Sequence, residues 1–324
     1  EATTLVKGTD FEYTYANNTN AAKSSDENAA PTLIITGIGN YSGTASQKFT
    51  IGQATATITA SNQSYGYTGN NVEFDIAKIT ISPETISKDK LIINYSAPDP
   101  NNQGETITYE AGPTEVGTYT VEIDLNDDNY SATPVTATLT ISAKSITNSM
   151  VTLTADNFEY NGSAQMPTVT VKDGEETLKE NEDYAISYQQ VNGETTTTIT
   201  NPTNVGSYNV VVTGMSNYSG SITKAFSITA QTVSGATVTI NPEADLVFDG
   251  TVKHPEVTKV AIAANEATGT TEKVFSADTD YDVSYSDGCT NVGEYTATVT
   301  FKGNYSGTAS GTFNITAKSL TGTT

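Results

Sequence analysis

In 324 residues the chain has no arginine, no tryptophan, one histidine and one cysteine. Each shortage removes a class of function. Cys289 has no second cysteine to pair with, so no intrachain disulfide forms. Its 15 basic residues, all lysine, face 37 acidic ones for a net charge of −22. A phosphate-binding surface needs clustered cations and favours the bidentate guanidinium fork, so nucleic acid and anionic membrane are poor partners. His254, the only imidazole, leaves nucleophilic catalysis without its usual base. Without tryptophan the usual sugar-stacking platform is missing, which weighs against glycoside hydrolysis despite the many carboxylates. No run of 18 apolar residues occurs, so direct membrane insertion of this segment is not expected. No charged-then-apolar leader opens it, and a signal peptide and anchor are expected outside it.

What fills the space is Thr, Ser, Asn and Gly. Apolar residues make up 36% and charged ones 16%, both below the usual globular share, and this composition suits solvated strand faces and turns. The fold class expected is all-β. Acidic residues exceed basic ones in every repeat unit of the chain, a surface that keeps itself soluble by self-repulsion.

Internal repetition is the dominant signal. Asn40-Tyr41-Ser42-Gly43, Asn217-Tyr218-Ser219-Gly220 and Asn304-Tyr305-Ser306-Gly307 are identical, with Asn129-Tyr130-Ser131-Ala132 as a near copy. Their tyrosines stand 89, 88 and 87 residues apart. Upstream lie Val116-Gly117-Thr118-Tyr119, Val205-Gly206-Ser207-Tyr208 and Val292-Gly293-Glu294-Tyr295. Earlier still, an Asp-aromatic pair leads to a second tyrosine: Asp10-Phe11, Asp183-Tyr184 and Asp280-Tyr281. Repeat two keeps only Leu91 and Tyr95 of that element. Phe49/Ile51, Phe226/Ile228 and Phe313/Ile315 follow the anchor, with Leu139/Ile141 in repeat two.

These positions read as strands with one buried face. Tyr119, Val121, Ile123 and Leu125 alternate with Thr120, Glu122 and Asp124, a period of two. Lys172-Asp173-Gly174-Glu175 predicts a tight hairpin. Turn signals at intervals of about ten residues predict a sandwich of six or seven short strands per unit. The units read as a partial repeat over 1–52, full repeats over 53–142, 143–230 and 231–317, and the start of another repeat or a tail over 318–324. Leu5 aligns with Leu178, so unit one lacks its early strands; pairing through this incomplete unit is the one expected departure from a monomer. The joins are short, and a semi-rigid, elongated array is expected.

The aromatic-Asn-Gly turn, the Pro167–Gly174 run, Leu178 before Asp183-Tyr184, Val-Gly-x-Tyr and Asn-Tyr-Ser-Gly together resemble the bacterial Ig-like repeats of the MBG type. The resemblance covers nearly the whole chain and is weakest in repeat two, where Lys90-Leu91 and Ala132 depart from the pattern. It implies immunoglobulin-like β-sandwiches in tandem on a bacterial cell-surface protein, and it brings no catalytic residues. The function expected is a non-catalytic extracellular stalk or adhesion segment whose partner is a surface protein or glycan. The alternative is a carbohydrate-binding or accessory spacer region of a polysaccharide-utilising surface protein.

Few residues suggest chemistry. His254 aligns with Met166, as expected of a strand position. Cys289 aligns with Pro113 and Pro202 in a loop and reads as a free surface thiol. Calcium is the only cofactor the residues suggest: Asp278, Asp280 and Asp282 would share one strand face, and Asp124, Asp127 and Asp128 form a second acidic cluster. The first set lacks the turn glycine and twelfth-position Glu of an EF-hand loop. Tyr41, Tyr130, Tyr218 and Tyr305 read as structural repeat anchors, each expected to bond its hydroxyl to backbone in a tyrosine corner. The Asn-Tyr-Ser sequons are read as coincidental, and no lysine recurs at one strand position as an isopeptide staple would require.

Overall fold

The computed structural model describes residues 3–241, 246–265 and 271–320. Among these the secondary structure is strand apart from two short 3-10 turns, and no helix is long and apolar enough to cross a membrane. The chain divides into two compact units, residues 1–144 and 145–324.

In the first unit, Phe11–Ala16, Thr32–Gly37 and Thr44–Lys48 form one antiparallel sheet. No second sheet lies over it among the described residues, and Tyr13 and Tyr15 are 38% and 50% exposed. The rest of the unit is a closed sandwich. Its larger sheet runs Gln63–Gly66, Val135–Ser142, Gly117–Leu125, Leu91–Pro98, Thr106–Tyr109 in spatial order, with Gln63–Gly66 parallel to its neighbour. Thr57–Thr59 pairs with Thr80–Ser82 on the other side. The alternation read from sequence sets the faces: Tyr119, Val121 and Ile123 are buried while Thr120 and Glu122 are exposed. They meet Ile58, Phe74, Ile79 and Ile81 in a single core.

The second unit holds two sandwiches. In the first, Asn157–Glu159, Ser221–Thr229, Gly206–Gly214, Tyr184–Asn192 and Thr195–Ile199 lie in that order. Val151–Leu153, Val169–Asp173 and Glu176–Thr177 make the opposing sheet. Asp173 pairs with Glu176 across Gly174 at φ 63°, the tight hairpin expected there. In the second sandwich, Tyr281–Tyr285, Gly293–Phe301 and Thr308–Ile315 face Thr237–Ile240, Val257–Ile262 and Lys273–Phe275. A parallel bridge from Val247 to Thr316 stands where the other sandwiches have a leading strand. The all-β class is therefore observed, with each closed core built from two inward faces.

Candidate functional site

The tyrosine corners are present, but different tyrosines make them. The hydroxyls of Tyr119, Tyr208 and Tyr295 donate to the carbonyls of Glu115, Asn204 and Asn291, four residues upstream, at 2.7, 2.6 and 3.0 Å. These belong to Val-Gly-x-Tyr, whose glycine lies against the ring: a Cβ on Gly117 would come 3.2 Å from the Tyr119 hydroxyl. Burial pushes the Tyr119 and Tyr208 phenols above their ordinary range.

The four anchor tyrosines do something else. Tyr218 and Tyr305 are buried, Tyr130 is half-buried, and Tyr41 is 41% exposed. Tyr218 donates to the Asp173 carboxylate at 3.3 Å. Tyr305 packs edge-on against Phe275 at 5.0 Å and against Tyr160 of the preceding repeat at 5.5 Å. The Lys273 ammonium sits 5.3 Å from the Tyr305 ring centre, and its hydrogen bond to the Tyr305 hydroxyl raises its pKa.

Around Tyr130, Tyr218 and Tyr305 the backbone is a junction piece. The segment that enters a repeat pairs in parallel with the Asn-Tyr-Ser turn of that same repeat. Ala54 and Ala56 donate to the carbonyls of Asn129 and Ser131, both at 2.8 Å. Gln231 and Val233 donate to Asn304 and Ser306 at 3.0 and 2.9 Å, and Ile146 donates to Ser219 at 2.9 Å. The approach is close enough that a Cβ on Gly307, at φ 102°, would lie 2.9 Å from the Val233 carbonyl oxygen.

The asparagine side chain then reaches backward. Asn304 Oδ1 accepts the Val205 N–H at 2.9 Å, and its Nδ2 donates to Asn204 Oδ1 at 3.1 Å. Asn129 repeats this at the earlier junction, accepting the Ala21 N–H at 2.8 Å and donating to Asn20 Oδ1 at 3.4 Å. A backbone N–H can only donate, so it fixes which way each amide faces. One short turn thus holds the incoming segment by its backbone and the preceding repeat by its side chain. Both ends of the amide are thus engaged in Asn129 and in Asn304.

The acidic residues are used locally. Asp280 folds back to accept the Ser276 N–H at 2.8 Å, as Asp10 does from Val6 and Asp183 from Lys179 at the same distance. This is the role of the Asp-aromatic pair: it closes the turn before the strand, and three copies at one spacing were its signal. Repeat two, with Lys90 there, uses the 3-10 turn Lys88–Lys90 and two bonds from Lys88 Nζ to the carbonyls of Ile76 and Ala77. The shared strand face expected of Asp278, Asp280 and Asp282 is not formed. Asp278 sits in a turn at φ 63°, Asp280 caps it, and Asp282 pairs with Lys302. Asp127 caps the Asn-Tyr turn through Asn129 and Tyr130. Among the described residues no three acidic, histidine or cysteine side chains converge to hold a metal.

Cys289 is buried, not a surface thiol; its Sγ lies 2.9 Å from the Ser286 carbonyl oxygen and it packs on Phe313 and Ile315. Pro113 and Pro202, its counterparts, are buried too, and all three carbonyls accept a backbone N–H, from Val72, Gln165 and Lys253. That alignment with prolines marked a small apolar plug. His254 lies in extended chain before the strand Val257–Ile262, its exposed ring stacked on Tyr285 at 4.3 Å.

A family model described as MBG domain matches residues 56–145, 149–232 and 236–319. Among solved structures, immunoglobulin domains 1–5 of Sidekick-1 are 11% identical, with a TM-score of 0.24, over 94% of this chain and 71% of that one. The insect immune protein hemolin is 12% identical, with a TM-score of 0.23, over 97% of this chain and 93% of its own. No curated protein matches the chain.

Proposed function

Since the chain belongs to the MBG-domain family of bacterial Ig-like repeats, a typically non-catalytic family, we propose that it is a stalk or adhesion segment on the outside of a bacterial cell. The observation that supports this reading best is the doubly held junction. At two joins the entering residues are hydrogen-bonded into the repeat they begin, and Asn129 or Asn304 ties that repeat to the one before. At these two joins the entering residues are held on both sides, which suits a part that holds something at a distance and carries tension. The acidic, arginine-free surface suits an exterior setting, where it resists collapse and self-association.

Small-angle scattering of the whole chain tests the reading. The expected particle is extended, and Asn129→Ala with Asn304→Ala broadens its distance distribution. Each lost bond costs about 1 kcal/mol, so the repeats themselves stay folded. A compact particle, or a double variant as stiff as the parent, would overturn the proposal.

A further inference from the structure

The junction between repeats 143–230 and 231–317 encloses a cleft of about 320 Å³. Its floor is aromatic: Phe275 and Tyr305 are buried beneath it, and Tyr160 stands edge-on to Tyr305 at 87°. Its rim carries the exposed polar side chains of Asn161, Ser234 and Lys273. An apolar floor with a few convergent hydrogen-bonding groups is the usual make-up of a small-ligand site, and the volume lies at the lower end of that class.

The ligand's chemistry follows from the charges. Among the described lining residues the cleft has one cation, Lys273, whose ammonium lies 5.3 Å from the Tyr305 ring centre. An anionic ligand would find a single ammonium there and would approach a chain of net −22 against long-range repulsion. A ligand with apolar C–H faces and many hydroxyls, but no charge, matches both floor and rim. We propose that this cleft is a binding subsite for a neutral oligosaccharide, with C–H groups of a sugar ring against Tyr160 and hydroxyls bonded by Asn161, Ser234 and Lys273. Because residues from both repeats line it, occupancy also braces the junction.

This goes beyond the stalk reading and has a separate readout: scattering reports shape, and titration reports the cleft. The whole chain is titrated calorimetrically with neutral tetrasaccharides built of glucose, mannose, galactose or xylose, and with a uronic-acid tetrasaccharide. Saturable binding of at least one neutral member is expected, weakened about tenfold or more by Tyr160→Ala. Since Tyr160→Ala also removes a packing contact, Ser234→Trp provides a second variant that fills the mouth from an exposed position; it is expected to abolish binding with the melting temperature kept. The proposal is overturned by no saturable binding of any neutral member up to about 10 mM. Binding of the uronic-acid tetrasaccharide alone, or binding that survives Ser234→Trp, overturns it equally.

Discussion

Residues 1–52 and residues 143–230 contain the same three central strands in the same antiparallel order, yet only the second set encloses a core. Phe11–Ala16, Thr32–Gly37 and Thr44–Lys48 correspond to Tyr184–Asn192, Gly206–Gly214 and Ser221–Thr229. In the full repeat Tyr208, Val210, Val212 and Phe226 are buried by the opposing sheet. In the partial one Leu33 and Ile35, which stand where Val210 and Val212 do, remain half-exposed. Strand pairing and register are thus encoded within the hairpins, while burial comes from the second layer. The apolar stripe alone makes a sheet and not a domain.

The largest test of that contrast is a matched pair of deletions. Phe226→Ala removes a ring packed against Phe158, Tyr188 and Tyr208, and should cost about 3–5 kcal/mol in chemical or thermal unfolding. Phe49→Ala, at the half-exposed counterpart, should cost well under half as much; equal losses would mean the partial repeat is covered in solution. A smaller effect is expected at the turn cap. Asp183→Ala loses the bond to the Lys179 N–H and should lower stability by about 1 kcal/mol, as helix-capping side chains do. Asp10→Ala breaks the same bond in the partial repeat and should show only in local hydrogen exchange, because that sheet opens without the rest.

A gradual effect is expected with alkali. Burial raises the phenols of Tyr184, Tyr188 and Tyr208, so the folded state favours the neutral form. Their contribution is intact below the unfolded tyrosine value of about 10 and is lost as pH climbs through the raised folded values. With no tryptophan to interfere, ultraviolet absorbance of tyrosinate reads this directly. A late titration step that coincides with unfolding is expected, and Phe226→Ala should bring it to lower pH. A single step at the ordinary value would mean these rings are accessible.

The strand faces were legible because they follow a local period: Tyr119, Val121 and Ile123 alternate with polar neighbours whatever the fold around them. The repetition was legible because the Asn-Tyr-Ser turn recurs. The junction role of its asparagine was not, since Asn304 meets Val205 across 99 residues and Asn129 meets Ala21 across 108. No local pattern carries such a contact. The tyrosine corner was assigned to the more conspicuous motif, although Val-Gly-x-Tyr supplies the glycine that a ring folded back on its own strand requires. The aspartate triad was read as strand because it alternates. Its middle member in fact repeats the cap made by Asp10 and Asp183, and a comparison across units would have shown it.

The parallel pairing of each entering segment with a late turn also sets an order of events during synthesis. When Thr232 leaves the ribosome, the residue whose hydroxyl it will meet, Ser306, is still 74 positions behind. The opening strand of a repeat therefore waits for nearly the whole repeat to arrive before it is pinned. Its closure is a late event that seals a finished repeat to its neighbour. A chain emerging this way is secured one repeat at a time.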